Sequence, residues 1–356
     1  MRLNSMRLAA CAAAAAGLAV AAPAEAKTIS VQHGQSIQAA INAAKPGDTV
    51  RLEPGVYKQS LLIKKRLTLT GRHATLTNPS TAPKIACNMG GKAVGVCVVG
   101  KGDFQKGTVT KRVKNVRITG LTIRGFAAEG VFGFGTRNLR VDHSRLSKNG
   151  GYGAFSLASK GTVYANNVAT GNAAPGLYVG DSPGANAVIR RNRSTKNLGE
   201  GILLRHATGG TVSHNVLSGN CAGLFVLADA PGPAGGFTIS KNTVTKNTRK
   251  CAGEPADNEP PISGVGIGLL GAFKTTVSGN TVKGNAPSGP SLVSGGIVAV
   301  SGPQKTPPQN DVIKGNNADA NNPFDLMWDG TGSVSFSKNL CHTSSPTGLC
   351  TGPPHK

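Results

Sequence analysis

The sequence predicts an all-β solenoid, a stack of coils built from short parallel strands, on three observations. An asparagine-framed octet recurs as "ANNVATGN", "RRNRSTKN", "SHNVLSGN", "SKNTVTKN" and "SGNTVKGN". Glycine-led alternating runs return between the octets, as in "GLYVGDS", "GILLRHA", "GLFVLADA" and "GIVAVSG". Only 4% of the residues are aromatic while 49 are glycine, a composition that fills a narrow coil better than an ordinary globular core.

The first 26 residues place Arg2 and Arg7 before "LAACAAAAAGLAVAA" and end in Ala24-Glu25-Ala26. This is the layout of a secretory signal, expected to be cleaved after Ala26 and to send the protein out of the cytoplasm. "LAAC" precedes most of the apolar run, so acylation at Cys11 is not expected. No later stretch reaches the ~20 apolar residues of a membrane helix.

Removing Cys11 leaves Cys87, Cys97, Cys221, Cys251, Cys341 and Cys350, an even number suited to an oxidising compartment. Spacing alone does not select their pairing. Nearest neighbours, 87 with 97, 221 with 251 and 341 with 350, close three local loops and are the expected pairs. Neither a Cys-x-x-Cys pair nor a histidine cluster accompanies them, so no metal site is expected.

A short helix is expected near 36–45, because Ile37, Ala40, Ile41 and Ala44 share one face and Pro46-Gly47 stops it. No helical period follows. The last asparagine of each octet is read at Asn149, Asn172, Asn197, Asn220, Asn247, Asn285 and Asn322, with spacings of 23, 25, 23, 27, 38 and 37. The shorter intervals match one solenoid coil and the longer ones carry insertions. Alternation at period two gives strands, and the Gly and Asn positions between them give turns. Parallel strands stacked ~4.8 Å apart set each asparagine over its counterpart, so that amides form a ladder. Asn167, Asn192, Asn215, Asn242, Asn280 and Asn317 are the expected interior ladder, with Ala169, Ser194, Leu217, Val244, Val282 and Ala318 pointing mostly inward.

"SIQAAINAAKPGDTVRLEPGVY", residues 36–57, resembles the opening of right-handed parallel β-helix proteins of the pectate-lyase-like superfamily, in which an amphipathic helix caps the first coil. The resemblance implies a right-handed parallel β-helix over 27–340 with an N-terminal capping helix, and a C-terminal cap or tail at 341–356. It brings no enzyme with it, since one scaffold hosts lyases, hydrolases, esterases, epimerases and binding proteins. Calcium enters as a cofactor only through this resemblance.

"NLRVDHSRLS", residues 138–147, is similar to the Trp-Ile-Asp-His segment of pectate lyases, but their Arg-x-Pro-x-x-Arg segment is absent. Asp142 and His143 occupy a repeating turn and are read as structural. The Asn-Thr-Asp, Asp-Asp, Gly-His-Gly and Arg-Ile-Lys motifs of polygalacturonases are missing, as are the later catalytic segments of pectin methylesterases. The Asp-Pro-His-Asp of mannuronan epimerases is missing too.

Candidate chemistry is therefore sought in register. Aligning coils on Gly130, Gly153, Gly176, Gly201, Gly223, Gly266 and Gly296 puts Asp181 and His206 at one offset in adjacent coils. Arg205 stands beside His206, and Asp229 one position further along in the next coil. Two coils separate the aspartates, roughly 9–10 Å, the upper edge for an inverting pair of carboxylates at ~6.5–9.5 Å. Asp181, His206 and Asp229 are the candidate catalytic groups, with Arg205 pairing a uronate carboxylate. The same residues would also serve as polar ends of a coil edge.

Tyr178 belongs to an outward column with Phe132, Phe155, Leu203 and Phe225, either a sugar platform or a face covered by the proline-rich insertions at 229–236, 252–264 and 302–309. A basic column holds His143, Asn166, Arg191, His214 and Lys241, while Lys148, Lys196 and Lys246 recur in alternate coils. Arg191 and Lys241 join Arg205 and Tyr178 as candidate substrate contacts.

The formal net charge of +23 favours a polyanionic partner. Acidic polysaccharide is the expected one. Nucleic acid is not expected, for want of a motif and of aromatic interleaving. The expected protein is an exported monomer engaging acidic polysaccharide, as a lyase or glycoside hydrolase. Two alternatives stand beside it: a non-catalytic binding or surface solenoid, and a maturation protein of the exported compartment.

Overall fold

The octet folds as it does because it carries two left-handed turns, each followed by a buried asparagine. In residues 241–247, Lys241 (φ 56°) precedes Asn242 and Lys246 (φ 52°) precedes Asn247. Between them Thr243–Thr245 forms a three-residue strand with Val244 wholly buried. The same pattern recurs coil after coil and turns the chain through two corners.

The computed structural model describes residues 25–88, 90–229, 232–253 and 260–354. The expected signal segment therefore lies, up to residue 24, outside the described residues. The chain winds as a right-handed parallel β-helix with three faces. Sheet A includes Arg140–Asp142, Val163–Ala165 and Ala187–Arg190. Among the described residues sheet B has ten short strands, including Arg145–Ser147, Val168–Thr170, Arg193–Thr195, Val216–Ser218 and Thr243–Thr245. Sheet C includes Val131–Phe134, Ala154–Leu157, Leu177–Ser182, Ala222–Leu227 and Val265–Leu270. One long strand, Ile202–Ser213, runs from sheet C through the corner into sheet A.

Two asparagine ladders run along the interior. The first passes through Asn167, Asn192, Asn215, Asn242, Asn280, Asn316 and Asn339. The second passes through Asn149, Asn172, Asn197, Asn220, Asn247, Asn285 and Asn321. At each rung an amide nitrogen donates to the next asparagine oxygen at 2.8–3.1 Å, and that oxygen also accepts the backbone N–H. The sequence register thus slips by one at two places: Asn316 replaces the expected Asn317, and Asn321 the expected Asn322. Gly315 and Ala320 supply the left-handed residues (φ 60° and 53°) that select those asparagines. The second ladder also shows that the last asparagine of the octet is interior, a role the sequence reading gave only to the first.

The glycine after each octet follows from the second ladder. A Cβ on Gly130, Gly176, Gly201 or Gly296 would lie 2.7–3.0 Å from the amide nitrogen of Asn149, Asn197, Asn220 or Asn321. Only glycine lets the strand of sheet C pass that close to the ladder.

The helix Ile37–Ala43 caps the first coils, with Ser36 accepting from the Ala39 N–H at 3.2 Å and Ile37 and Ile41 buried. At the other end Asp325 terminates the second ladder. Its Oδ1 accepts from the Asn321 N–H and side-chain amide, while its Oδ2 accepts from the N–H groups of His342 and Thr343. Disulfides join Cys87 to Cys97, Cys221 to Cys251 and Cys341 to Cys350, the nearest-neighbour pairs. Among the described residues no helix is long and apolar enough to cross a membrane.

Candidate functional site

The outer face of sheet C holds a column of rings. Phe132 stacks on Phe155 at 5.2 Å and Phe155 on Tyr178 at 4.6 Å, with interplanar angles of 17° and 12°. Tyr152, on the residue before Gly153, tilts against both Phe155 and Tyr178. In-register stacking puts one side chain of each coil over the next, so rings at one offset must stack.

Most of this column is covered. Phe132, Tyr178, Leu203 and Phe225 are buried, while Tyr152 and Phe155 are half-buried. Phe104, from the turn between Lys101–Asp103 and Thr108–Lys111, packs edge-on against Phe132 and Phe134 at the N-terminal end. Ile262 and Val293 cover the Phe225 end. Of the three insertions expected as covers, 252–264 contributes Ile262, while Gly232 and Gln304 from the other two lie beside His206 and Asp229.

At the corner from sheet C to sheet A four charges meet. Asp181 and His206 are in register and both left-handed, with φ 44° and 47°. His206 Nδ1 lies 3.0 Å from Asp181 Oδ1, and its Nε2 lies 2.8 Å from Asp229 Oδ1. Arg205 Nε donates to both oxygens of Asp229, at 2.8 and 2.9 Å. The His206 side chain is only 8% exposed, against 47% for Asp181. A carboxylate oxygen lies within 3.0 Å of each ring nitrogen, a setting that favours the protonated ring, and the Asp229 N–H also approaches Nε2, at 3.2 Å. The bond to Asp181, then that to Asp229, pushes the His206 pKa up to about 9, against the opposing effect of burial. Burial would raise the Asp229 carboxyl, but the bonds from His206 and Arg205 hold it below its ordinary value. Arg205 is pushed up because Asp229 outweighs its burial.

Tyr178 belongs to this cluster through a gap in its own strand. A Cβ on Gly180 would lie 2.0 Å from the Tyr178 hydroxyl oxygen. The phenol therefore lies across the glycine toward Arg205, and burial, with the Asp181 charge, pushes its pKa up. Beside the cluster opens a cleft of about 350 Å³, lined among others by Ala228, Gly232, Phe273, Gln304 and Pro307. Gln304 Nε2 donates to the Asp229 carbonyl at 3.0 Å.

The structure thus brings together Asp181, Arg205, His206, Asp229 and Tyr178, but not Arg191 and Lys241. Those two stand on the corner between sheets A and B, one residue before Asn192 and Asn242. The sequence placed all seven on coil-matched positions without distinguishing the three corners. The room expected between the two aspartates is occupied by the imidazole. Calcium does not fit this cluster either, because its carboxylates already face an imidazolium and a guanidinium. Among the described residues no group of three or more His, Cys, Asp or Glu could hold a metal ion.

Two groups on this face escaped the sequence reading. Glu129 and Tyr152 stand immediately before the registering glycines Gly130 and Gly153, a repeated position that alignment on those glycines could have exposed. Burial pushes the Glu129 carboxyl up. Asp142, by contrast, is a structural clasp: it is fully buried under Arg140 and Arg117, the latter at 3.1 Å. Burial alone would raise its carboxyl, but hydrogen bonds led by Thr119 and Arg140 hold it low.

The sequence matches the family described as "Right handed beta helix region" over residues 86–244. No curated protein matches it. The fold is similar to the A-module of mannuronan C-5 epimerase AlgE4 from Azotobacter vinelandii, with TM-score 0.59 and 16% identity over 90% of this chain and 92% of that one. It is also similar to an alginate lyase from Paenibacillus sp. str. FPU-7, with TM-score 0.57 and 16% identity over 89% and 99% of the two chains. For pectate lyase Pel9A the figures are 0.50, 15%, 93% and 81%. At these identities the likeness is one of fold. Repeat, ladders and neighbours agree: the chain is a right-handed parallel β-helix protein, with no individual enzyme family singled out.

Proposed function

We propose that this is an exported carbohydrate-active protein that engages acidic polysaccharide at the corner between sheets C and A and cleaves it as a lyase. The observation that carries this reading is the Asp181–His206–Asp229–Arg205 network beside Tyr178, set at the rim of a cleft. The similar folds of an alginate lyase, a pectate lyase and a mannuronan epimerase support the ligand class.

In an elimination, Arg205 faces the uronate carboxylate and the half-exposed Asp181 takes the proton α to it. The electron pair forms a carbon–carbon double bond, the glycosidic C–O bond breaks, and His206 gives its proton to the departing oxygen. Two-carboxylate hydrolysis is less suited, because the imidazole fills the space a water would need. A second reading, binding without cleavage, draws on the internal pairing of all four charges.

Incubation with polyuronates, followed by the absorbance of unsaturated uronates and by reducing ends, separates these readings. A lyase gives both signals, and His206→Gln lowers the rate by about 100-fold or more. Activity falls as pH rises through about 9, where the imidazolium loses its proton. Reducing ends without unsaturation would favour hydrolysis. Neither signal, with retained binding, would remove catalysis and leave the second reading.

A further inference from the structure

The corner between sheets B and C carries a regularity that the fold does not require. In successive coils its left-handed position is Gly125, Lys148, Gly171, Lys196, Gly219, Lys246 and Gly284. Left-handed backbone is cheap for glycine and unfavourable for a residue with a Cβ. Lysine nevertheless returns at three alternate coils, 148, 196 and 246, before Ala320 follows Gly284 and ends the series. Each lysine stem lies across the glycine of the next coil: a Cβ on Gly171, Gly219 or Gly284 would meet the Cγ of Lys148, Lys196 or Lys246 at 3.8, 3.5 or 3.7 Å.

The outer face of sheet B repeats the alternation. Its first outward column reads Arg145, Val168, Arg193, Val216 and Thr243. Its second is a rail of hydroxyls, Ser147, Thr170, Thr195, Ser218 and Thr245, with Thr195 Oγ1 bonded to Thr170 Oγ1 at 3.3 Å. Arg145 with Lys148, and Arg193 with Lys196, therefore form cationic rows two coils apart, ~9–10 Å at the strand spacing. Lys246 continues the Lys rail two coils further on. These five side chains are exposed, and no ion pair engages them among the described residues. The four octets at 165–172, 190–197, 213–220 and 240–247 contain no Asp or Glu, and the one acid of the octet before them, Asp142, is buried under Arg117 and Arg140.

We infer that this face docks an extended acidic polysaccharide that presents one carboxylate to the same side at every second sugar. In a two-fold ribbon of uronates, neighbouring sugars turn opposite ways and alternate carboxylates face one side. A chain alternating acidic and neutral sugars does the same. The cationic coil then meets the carboxylate, while the coil of Gly, Val and hydroxyl groups meets the sugar between. A nucleic acid fits less well, because its phosphates recur every ~3.4 Å along each strand of a duplex. This face lies on a different sheet from the His206 cluster and stands whether or not that cluster is catalytic.

The test is calorimetric binding of hyaluronan, with a carboxylate on every second sugar, and of polymannuronate, with one on every sugar. Oligo(dT) serves as the competing polyanion. The wild type binds at least one of the two glycans at low salt, and the tighter one identifies the source of the repeat. Lys148→Gln/Lys196→Gln/Lys246→Gln weakens binding by about tenfold or more and flattens its salt dependence.

The decisive variant keeps the charge and moves its place: Lys196→Gly with Gly219→Lys. The column already holds both residue types at this conformation, so unchanged thermal unfolding is expected. Binding falls about fivefold because one cation leaves the two-coil register. Wild-type affinity in this swap would overturn the proposal, as would tighter binding of oligo(dT) or no glycan binding at low salt.

Discussion

Asp311 stands at the C-to-A corner, 1% exposed, with Oδ1 accepting the Thr275 N–H at 2.7 Å. Its Oδ2 is buried without a hydrogen-bond partner among the described residues. Burial pushes its pKa up to about 6, against the Thr275 bond. A carboxyl raised in the folded state binds its proton more tightly there than in the unfolded chain. The stabilisation it brings is full below about 4 and is lost as pH rises through about 6. Asp311→Asn keeps the acceptor for Thr275 and removes the charge. The variant is expected to be more stable than the wild type at pH 8, by at most about 3 kcal/mol, with the difference vanishing near pH 4. Thermal unfolding at both pH values checks this, and a destabilised variant at pH 8 would contradict it.

At the scale of the element, the octet was legible because its chemistry is local: a left-handed residue, an asparagine, three strand residues, then the same pair again. Where the reading slipped, two asparagines stand side by side, at 316–317 and 321–322, and alternation cannot choose between them. The preceding residue can, since Gly315 takes the left-handed turn without strain. The candidate site was legible only in part, for the same reason. Asp181 and His206 keep register because both sit on one corner, whereas Arg191 and Lys241 share the repeat but sit on another. The Tyr178–Arg205 approach depends on the missing Cβ of Gly180, which a strand pattern shows only as a gap. The ladder itself predicts a cost. Asn220 accepts from the N–H and side-chain amide of Asn197 and donates to Ser194 O and Asn247 Oδ1. Asn220→Ala strands these groups in the interior and is expected to cost about 3–5 kcal/mol. Asn166→Ala, on the half-buried left-handed turn that precedes Asn167 of the other ladder, serves as the control and loses much less. Equal thermal shifts in the two variants would show that the ladder contributes no more than the turn.

For the whole molecule, a stack of parallel strands has two open ends, and each end must stop further strands from adding. The helix closes the first coils. The last is closed by a segment whose contacts converge on Asp325, whose Oδ2 accepts three bonds from His342 and Thr343. Ser344–Ser345 adds a short strand beside Leu326–Trp328, and the Cys341–Cys350 disulfide ties the segment back. Removing everything after Leu340 takes away these partners and uncovers the edge of Leu326–Trp328. It also leaves one oxygen of a buried carboxylate without donors. The truncated chain is expected to self-associate through this edge, while Cys341→Ser/Cys350→Ser, which keeps the strand and the Asp325 bonds, unfolds at lower temperature but stays monomeric. Sedimentation of the three proteins distinguishes the roles. Self-association of the serine variant alone would assign edge protection to the disulfide, and a monomeric truncation would show that Leu326–Trp328 needs no cover.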